Sequence, residues 1–161
     1  MKRLIFSLII AVLAITTAVA APSNKAKKII KKEVANCKAK GWKPLSGAPS
    51  LEEQIASTLE HQTQYDSEGS PIYIIATYQG ASMSPKMAES MAVQGCKTVA
   101  ARELLAELGI YKAEKNINLG RPKRLAAMER EGKSGNVEVM VTLAFNRAEI
   151  LKANSHLIEK N

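Results

Sequence analysis

Ten residues near the C-terminal end constrain this chain's fold more than any other stretch. Val137, Val139, Val141, Leu143 and Phe145 alternate strictly with Glu138, Met140, Thr142, Ala144 and Asn146. Successive strand residues point to opposite faces, so a period of two predicts a β-strand whose odd-numbered residues face a core. Gly132-Lys133-Ser134-Gly135-Asn136, just before it, has the composition of a hairpin turn. The preceding segment, Lys123 to Glu131, is ambiguous. Leu125-Ala126-Ala127-Met128 has helix propensity, whereas its place before a hairpin turn suits a strand.

A strand needs something to cover it. Ile72 to Gly80, rich in Ile, Tyr and Thr, predicts a second strand. Ser84 and Pro85 then open a helix that should run to about Leu108, with Gly109 as its stop. Met87, Met91, Val99, Leu104 and Leu108 give that helix bulk. Ala88, Ala92, Gly95 and Cys96 form a strip of small residues that would let it lie close to a sheet. Met83, Met87 and Met91 recur at helical spacing and are expected to fill the core rather than bind a soft metal. Residues 110 to 122 read as irregular or weakly helical, and a last helix should start near Arg147.

The 161-residue chain begins with Met1-Lys2-Arg3, an apolar run from Leu4 to Ala14, and Ala18-Val19-Ala20. That is the layout of a secretory signal peptide cut before Ala21. Retention as an anchor is the alternative, since Leu4 to Ala20 is at the short edge of a bilayer span. No cysteine stands at the cleavage site, so lipid attachment of the usual bacterial kind is not expected. The expected location is periplasmic or secreted, and removing Lys2 and Arg3 lowers the formal charge from +8 to +6.

Residues 23 to 40 predict a short basic helix. Ala26, Ile30, Val34 and Cys37 make one apolar stripe, and Lys25, Lys27, Lys28, Lys31, Lys32, Lys38 and Lys40 cover the rest. Gly41-Trp42-Lys43-Pro44-Leu45-Ser46-Gly47-Ala48-Pro49 is a turn-rich connector in which Trp42 and Leu45 would plug into the domain. Ser50 and Glu53 have the spacing of a capping box, opening a helix with Leu51, Ile55, Leu59 and Gln62 on its inner side.

Motifs of catalysis are missing from this sequence. Gly132-Lys133-Ser134 ends like a phosphate-binding loop, but Ala127 stands where that loop needs glycine, and a strand follows instead of a helix. His61 and His156 belong to no cluster and read as surface residues. No metal site, cofactor or catalytic residue is assigned, and nucleic acid is not the expected partner of an exported chain. Cys37 and Cys96 can close one disulfide, worth about 4 kcal/mol for a loop of about 60 residues, or stand as two buried thiols; spacing does not decide.

The lysine-rich helix leading into Gly41-Trp42-Lys43-Pro44-Leu45-Ser46-Gly47-Ala48, with Leu51-Glu52 and Gln54-Ile55, resembles the opening of uncharacterised exported proteins of Bacteroides-type bacteria. The strand, alanine-rich helix and strand are more distantly similar to a twenty-kilodalton membrane-associated lipoprotein family and to flagellar outer-membrane assembly proteins. That resemblance implies a strand at Lys123 to Glu131. It implies no activity.

The expected fold is therefore α+β, in the order α-α-β-α-β-β-α, with a small antiparallel or mixed sheet and a long core helix. Its parts are a signal peptide (1–20), a basic helix and Trp/Pro connector (21–49) and an α+β domain (50–161). The expected function is a non-enzymatic envelope protein that binds or helps assemble another envelope component, anionic material or a protein. Lys27, Lys28, Lys31, Lys32 and Trp42 are its candidate contacts. The alternatives are a periplasmic enzyme of hydrolase type and a structural subunit.

Overall fold

In the computed structural model, which describes residues 23–109 and 117–155, the alternating segment is a strand paired on both sides. The elements run α1 (Asn24–Ala39), β1 (Lys43–Pro44), α2 (Leu51–Gln62), β2 (Tyr73–Ser82), α3 (Pro85–Glu107), β3 (Lys123–Glu131), β4 (Val137–Asn146) and α4 (Arg147–Ala153). The fold class is α+β. The sheet is antiparallel throughout, in the order β1-β3-β4-β2. The expected signal peptide, the first residues of the connector region and His156 lie outside the described residues.

The ambiguous segment is a strand. Ala126, Ala127 and Met128 pair with Thr142, Val141 and Met140, and tertiary pairing overrides helix propensity. A bulge between Arg124 and Ala126 shifts the register by one residue. The β3–β4 turn carries a short 3-10 turn, Lys133–Gly135, with Ser134 in the left-handed region at φ 58°. One element exceeds the expected order: β1, two residues of the connector paired with Met128 and Glu129 at the sheet edge, where Pro44 is tolerated.

The odd-numbered residues of β4 turn towards α3, as their period requires. Val139, Val141, Leu143 and Phe145 pack with Ile74 and Ala76 of β2, Ala127 of β3, and Ala88, Ala92, Cys96, Ala100 and Leu104 of α3. The small-residue strip lets the helix backbone come down onto the strand. At Gly80, a side chain would overlap the carbonyl oxygen of Ala88 and stand 2.9 Å from the Ala92 nitrogen. Ser84 occupies the N-cap of α3, but its hydroxyl makes no capping bond, and Pro85 begins the helix.

The even-numbered face is buried too. Met140 packs with Ala126 and Met128 against Trp42 and Leu51, with Val34 and Cys37 of α1 beside them. Thus α1, the connector and α2 form a layer opposite α3, and the connector joins the sheet itself through Lys43 and Pro44. Thr142, buried on this face, pairs its hydroxyl with that of Thr77 at 2.9 Å, which meets the hydrogen-bonding need of a buried polar group.

Candidate functional site

Ser23 caps α1 by accepting a hydrogen bond from the Ala26 N–H at 3.2 Å. Ile30 is the fully seated residue of the apolar stripe, with Ala26, Val34 and Cys37 partly buried along it. At 100° per residue, Lys28, Lys31 and Lys32 project from the side opposite that stripe, flanked by Lys25 and Lys27. All five are exposed, and none is ion-paired among the described residues. Because the other side of α1 is packed down, these ammonium groups are held on one rigid face.

The charge is concentrated there to an unusual degree. From Lys25 to Lys40 there are seven lysines and one acid, Glu33; from residue 41 to the end, fourteen basic and fourteen acidic residues cancel. Elsewhere several arginines are paired. Arg124 pairs with Glu89 and Arg130 with Glu138, each at 2.6 Å, and Arg147 with Glu107 at 2.8 Å.

Trp42 is a correction to the expected contact set. Only 6% of it is exposed. The Arg130 guanidinium lies 4.4 Å from its ring centroid, and that group also donates to Glu138 at 2.6 Å and to the Lys40 carbonyl at 3.3 Å. An indole clamped between a guanidinium and the Leu51–Ala126–Met128 cluster locks α1 to the sheet; it offers no face to a ligand.

Cys37 and Cys96 are free thiols on opposite faces of the sheet. Cys96 donates to the Val141 carbonyl at 3.2 Å, while Cys37 packs on the side of Met140, so the sheet stands between them and the disulfide is not formed. Burial pushes the Cys96 thiol up to about 11. Burial also raises Cys37, with Glu33 adding to the effect and Lys40 opposing it. Neither is an activated nucleophile.

His61, expected at the surface, is 5% exposed. The carbonyl of Ser57 lies 2.8 Å from Nδ1 and can only accept, so Nδ1 carries the proton, leaving Nε2 to accept from the Lys123 ammonium at 3.1 Å. The ring of Tyr73 lies 5.0 Å away, tilted by 54°. The residue ties α2 to the start of β3, and the polar sequence around it (Glu60, Gln62, Gln64) hid that role.

Gln54 was equally hidden. Fully buried, it accepts from the Ala127 N–H at 2.8 Å and donates to the Pro49 carbonyl at 2.6 Å. Its amide thus completes the outer edge of β3 beside the bond from the Leu45 N–H to the Ala127 carbonyl. Between the connector and β3 lies a cleft of about 210 Å³ lined by Leu45, Pro49, Arg124 and Leu125. It is smaller than the roughly 300–1,000 Å³ usual for small-molecule sites. Among the described residues, no three His, Cys, Asp or Glu side chains gather as a metal site, and no helix is long and apolar enough to cross a membrane.

The methionines are the second correction. Met83, Met87 and Met91 are 80%, 60% and 50% exposed, so they do not fill the core. The strip of alanines turned towards the sheet brings the first half of α3 close to it, and Met87 and Met91 stay on its outer flank. Comparison with protein-family models, with curated proteins and with solved structures finds no match to this chain.

Proposed function

We propose that this is an exported, non-enzymatic envelope protein that binds an anionic envelope component through Lys27, Lys28, Lys31 and Lys32. The observation that carries the reading is the placement of charge. The excess of positive charge between residues 25 and 161 sits on one helix, and that helix is anchored by the buried Ile30 and Trp42. Rigid presentation favours binding, since ordering the side-chain scaffold is not left to the encounter. The chemistry suited to such a face is a phosphate- or carboxylate-bearing surface, as in lipid headgroups, lipopolysaccharide or wall polymer. Export rests on the layout of residues 1 to 20, and the resemblance to uncharacterised exported proteins belongs to the same proposal.

The test is co-sedimentation of the exported chain with envelope fractions at low and high salt, beside a variant with the four lysines changed to glutamine. Binding that weakens with salt and with the substitutions supports the reading. Binding unchanged in the variant, or absent at low salt, refutes it. Arms with anionic vesicles and with isolated wall polymer separate the two sources of negative charge.

A further inference from the structure

The outer edge of β2 is built without the features that keep sheet edges apart. Natural edge strands are short, bulged, or interrupted by proline or charge, because an open row of N–H and C=O groups is a template for another strand. β2 pairs with β4 through ten regular positions, Tyr73–Asn146 to Ser82–Val137, without a bulge. Its sequence, Tyr-Ile-Ile-Ala-Thr-Tyr-Gln-Gly-Ala-Ser, holds no charge and no proline. On its far side no strand pairs with it among the described residues. On the opposite side of the sheet, β3 is by contrast covered by the two-residue β1, by Leu45 and by the Gln54 side chain.

The apolar surface of the fold collects at this same edge. Tyr78, Met83, Met87 and Met91 are the large apolar side chains left exposed among the described residues. The orientation of α3 places them. Cys96 reaches Val141 of β4 and Glu89 reaches Arg124 of β3, so that flank of the helix points into the sheet. On the opposite flank, away from Glu89, the Tyr78 ring of β2 lies across Gly95, and Met87 and Met91 precede Gly95 by two turns and one. Met87, Met91 and the Tyr78 ring therefore overhang the open strand edge, with Met83 at the end of the row.

We infer that β2 is a dimerisation edge, pairing antiparallel with β2 of a second copy of this chain to make one continuous eight-stranded sheet. Three observations select a second copy as the occupant. An uncharged edge meets itself across a two-fold axis without like-charge repulsion. The charge outside α1 cancels, and α1 packs beside Met128 and Met140 towards the β1 edge, so the basic helices of two copies lie at the far ends of the joined sheet. The methionine flank of each copy lies over the strand that the partner adds, and flexible thioethers adapt to such a surface. The inference is independent of the proposed function.

Sedimentation equilibrium of the exported chain and amide exchange along Ile74 to Ala81 test it together. In a strand with one open edge, alternate amides exchange fast; in a strand paired on both sides, all are slow. The expected result is a dimer at micromolar concentration with slow exchange at successive residues. Gln79→Lys with Ala81→Lys, both at exposed positions, should weaken the dimer by about tenfold or more and restore alternating exchange, with unchanged circular dichroism. A monomer at these concentrations overturns the inference. So does a dimer whose β2 amides alternate, which puts the interface elsewhere. A monomer with uniformly slow β2 amides also overturns it, giving the edge to another segment of the same chain. Should the double variant misfold, the exchange pattern of the unaltered chain still decides.

Discussion

Replacing Gly80 by alanine should damage this fold far more than the same change at Gly95, although both glycines lie under bulky neighbours. The Gly80 Cβ would meet main chain: the Ala88 carbonyl oxygen, its carbon at 3.0 Å, and the Ala92 nitrogen at 2.9 Å. No side-chain rotation relieves that overlap, so α3 must lift by roughly an ångström. A gap of that size forfeits about a quarter to a half of each dispersion contact. Ala88, Ala92, Cys96 and Ala100, all fully buried, lie along the line of contact. Overpacking of this kind costs about 3 kcal/mol. Gly80 does not have a left-handed φ, so alanine also recovers about 0.4–1 kcal/mol of chain entropy.

The net loss is about 2 kcal/mol or more, which lowers Tm by about 5 to 10 °C in a chain of this size. At Gly95 the atoms nearest the new methyl belong to the Tyr78 side chain, which is 46% exposed, so the whole ring, Cγ included, must rotate outward to make room while the main chain stays in place. Alanine within a helix gains about 1 kcal/mol over glycine. That gain offsets part of the cost of turning Tyr78, so Gly95→Ala should destabilise clearly less than Gly80→Ala. Thermal and urea unfolding of both variants gives the comparison. Equal stability of Gly80→Ala and the parent would refute the claim that helix and sheet touch backbone to backbone.

Gln54→Ala should destabilise by about 2–4 kcal/mol, because it strands the Ala127 N–H and the Pro49 carbonyl; urea midpoints at constant m-value measure it. Thiol titration should find two free thiols in unreduced, denatured protein and a Cys96 that does not react while folded. A missing pair of thiols would contradict the separation of the two cysteines by the sheet. The Ser50 hydroxyl and backbone N–H hold the Glu53 carboxyl below its usual value, so its contribution to stability is present above about pH 4.5 and lost as pH falls through the lowered folded value. Glu53→Gln should remove that part of the acid-side slope in urea unfolding.

Legibility in the sequence followed how local each signal is. The strand at Val137–Asn146, the capping box at Ser50 and Glu53, and the small-residue strip of α3 were readable because period, cap spacing and residue size act over a few residues. What escaped was set by partners distant in sequence. Trp42 plugs into the domain as its connector suggested, but the guanidinium of Arg130, eighty-eight positions on, which closes over it and removes it from the contact set, was not readable. His61 and Gln54 sit among polar neighbours, and only β3, reached by way of Lys123 and Ala127, explains their burial.

The methionines failed for a different reason. Apolar character at helical spacing predicts a buried stripe, but two stripes competed for the sheet, and the alanine strip allowed the closer approach. The lysine face of α1 was legible as a face. Its cancellation against a neutral remainder, and its anchoring by Ile30 and Trp42, needed the fold and the whole charge distribution together.

Lysine acetylation of residues 21–161, read by mass spectrometry with and without envelope membranes, tests the central claim most directly. Lys86, Lys133 and Lys152 are exposed away from α1 and serve as internal references. Protection confined to Lys27, Lys28, Lys31 and Lys32, relieved by salt, is the predicted result. Equal labelling of all seven lysines in the presence of bound membranes would contradict it, placing the contact on another face of the molecule.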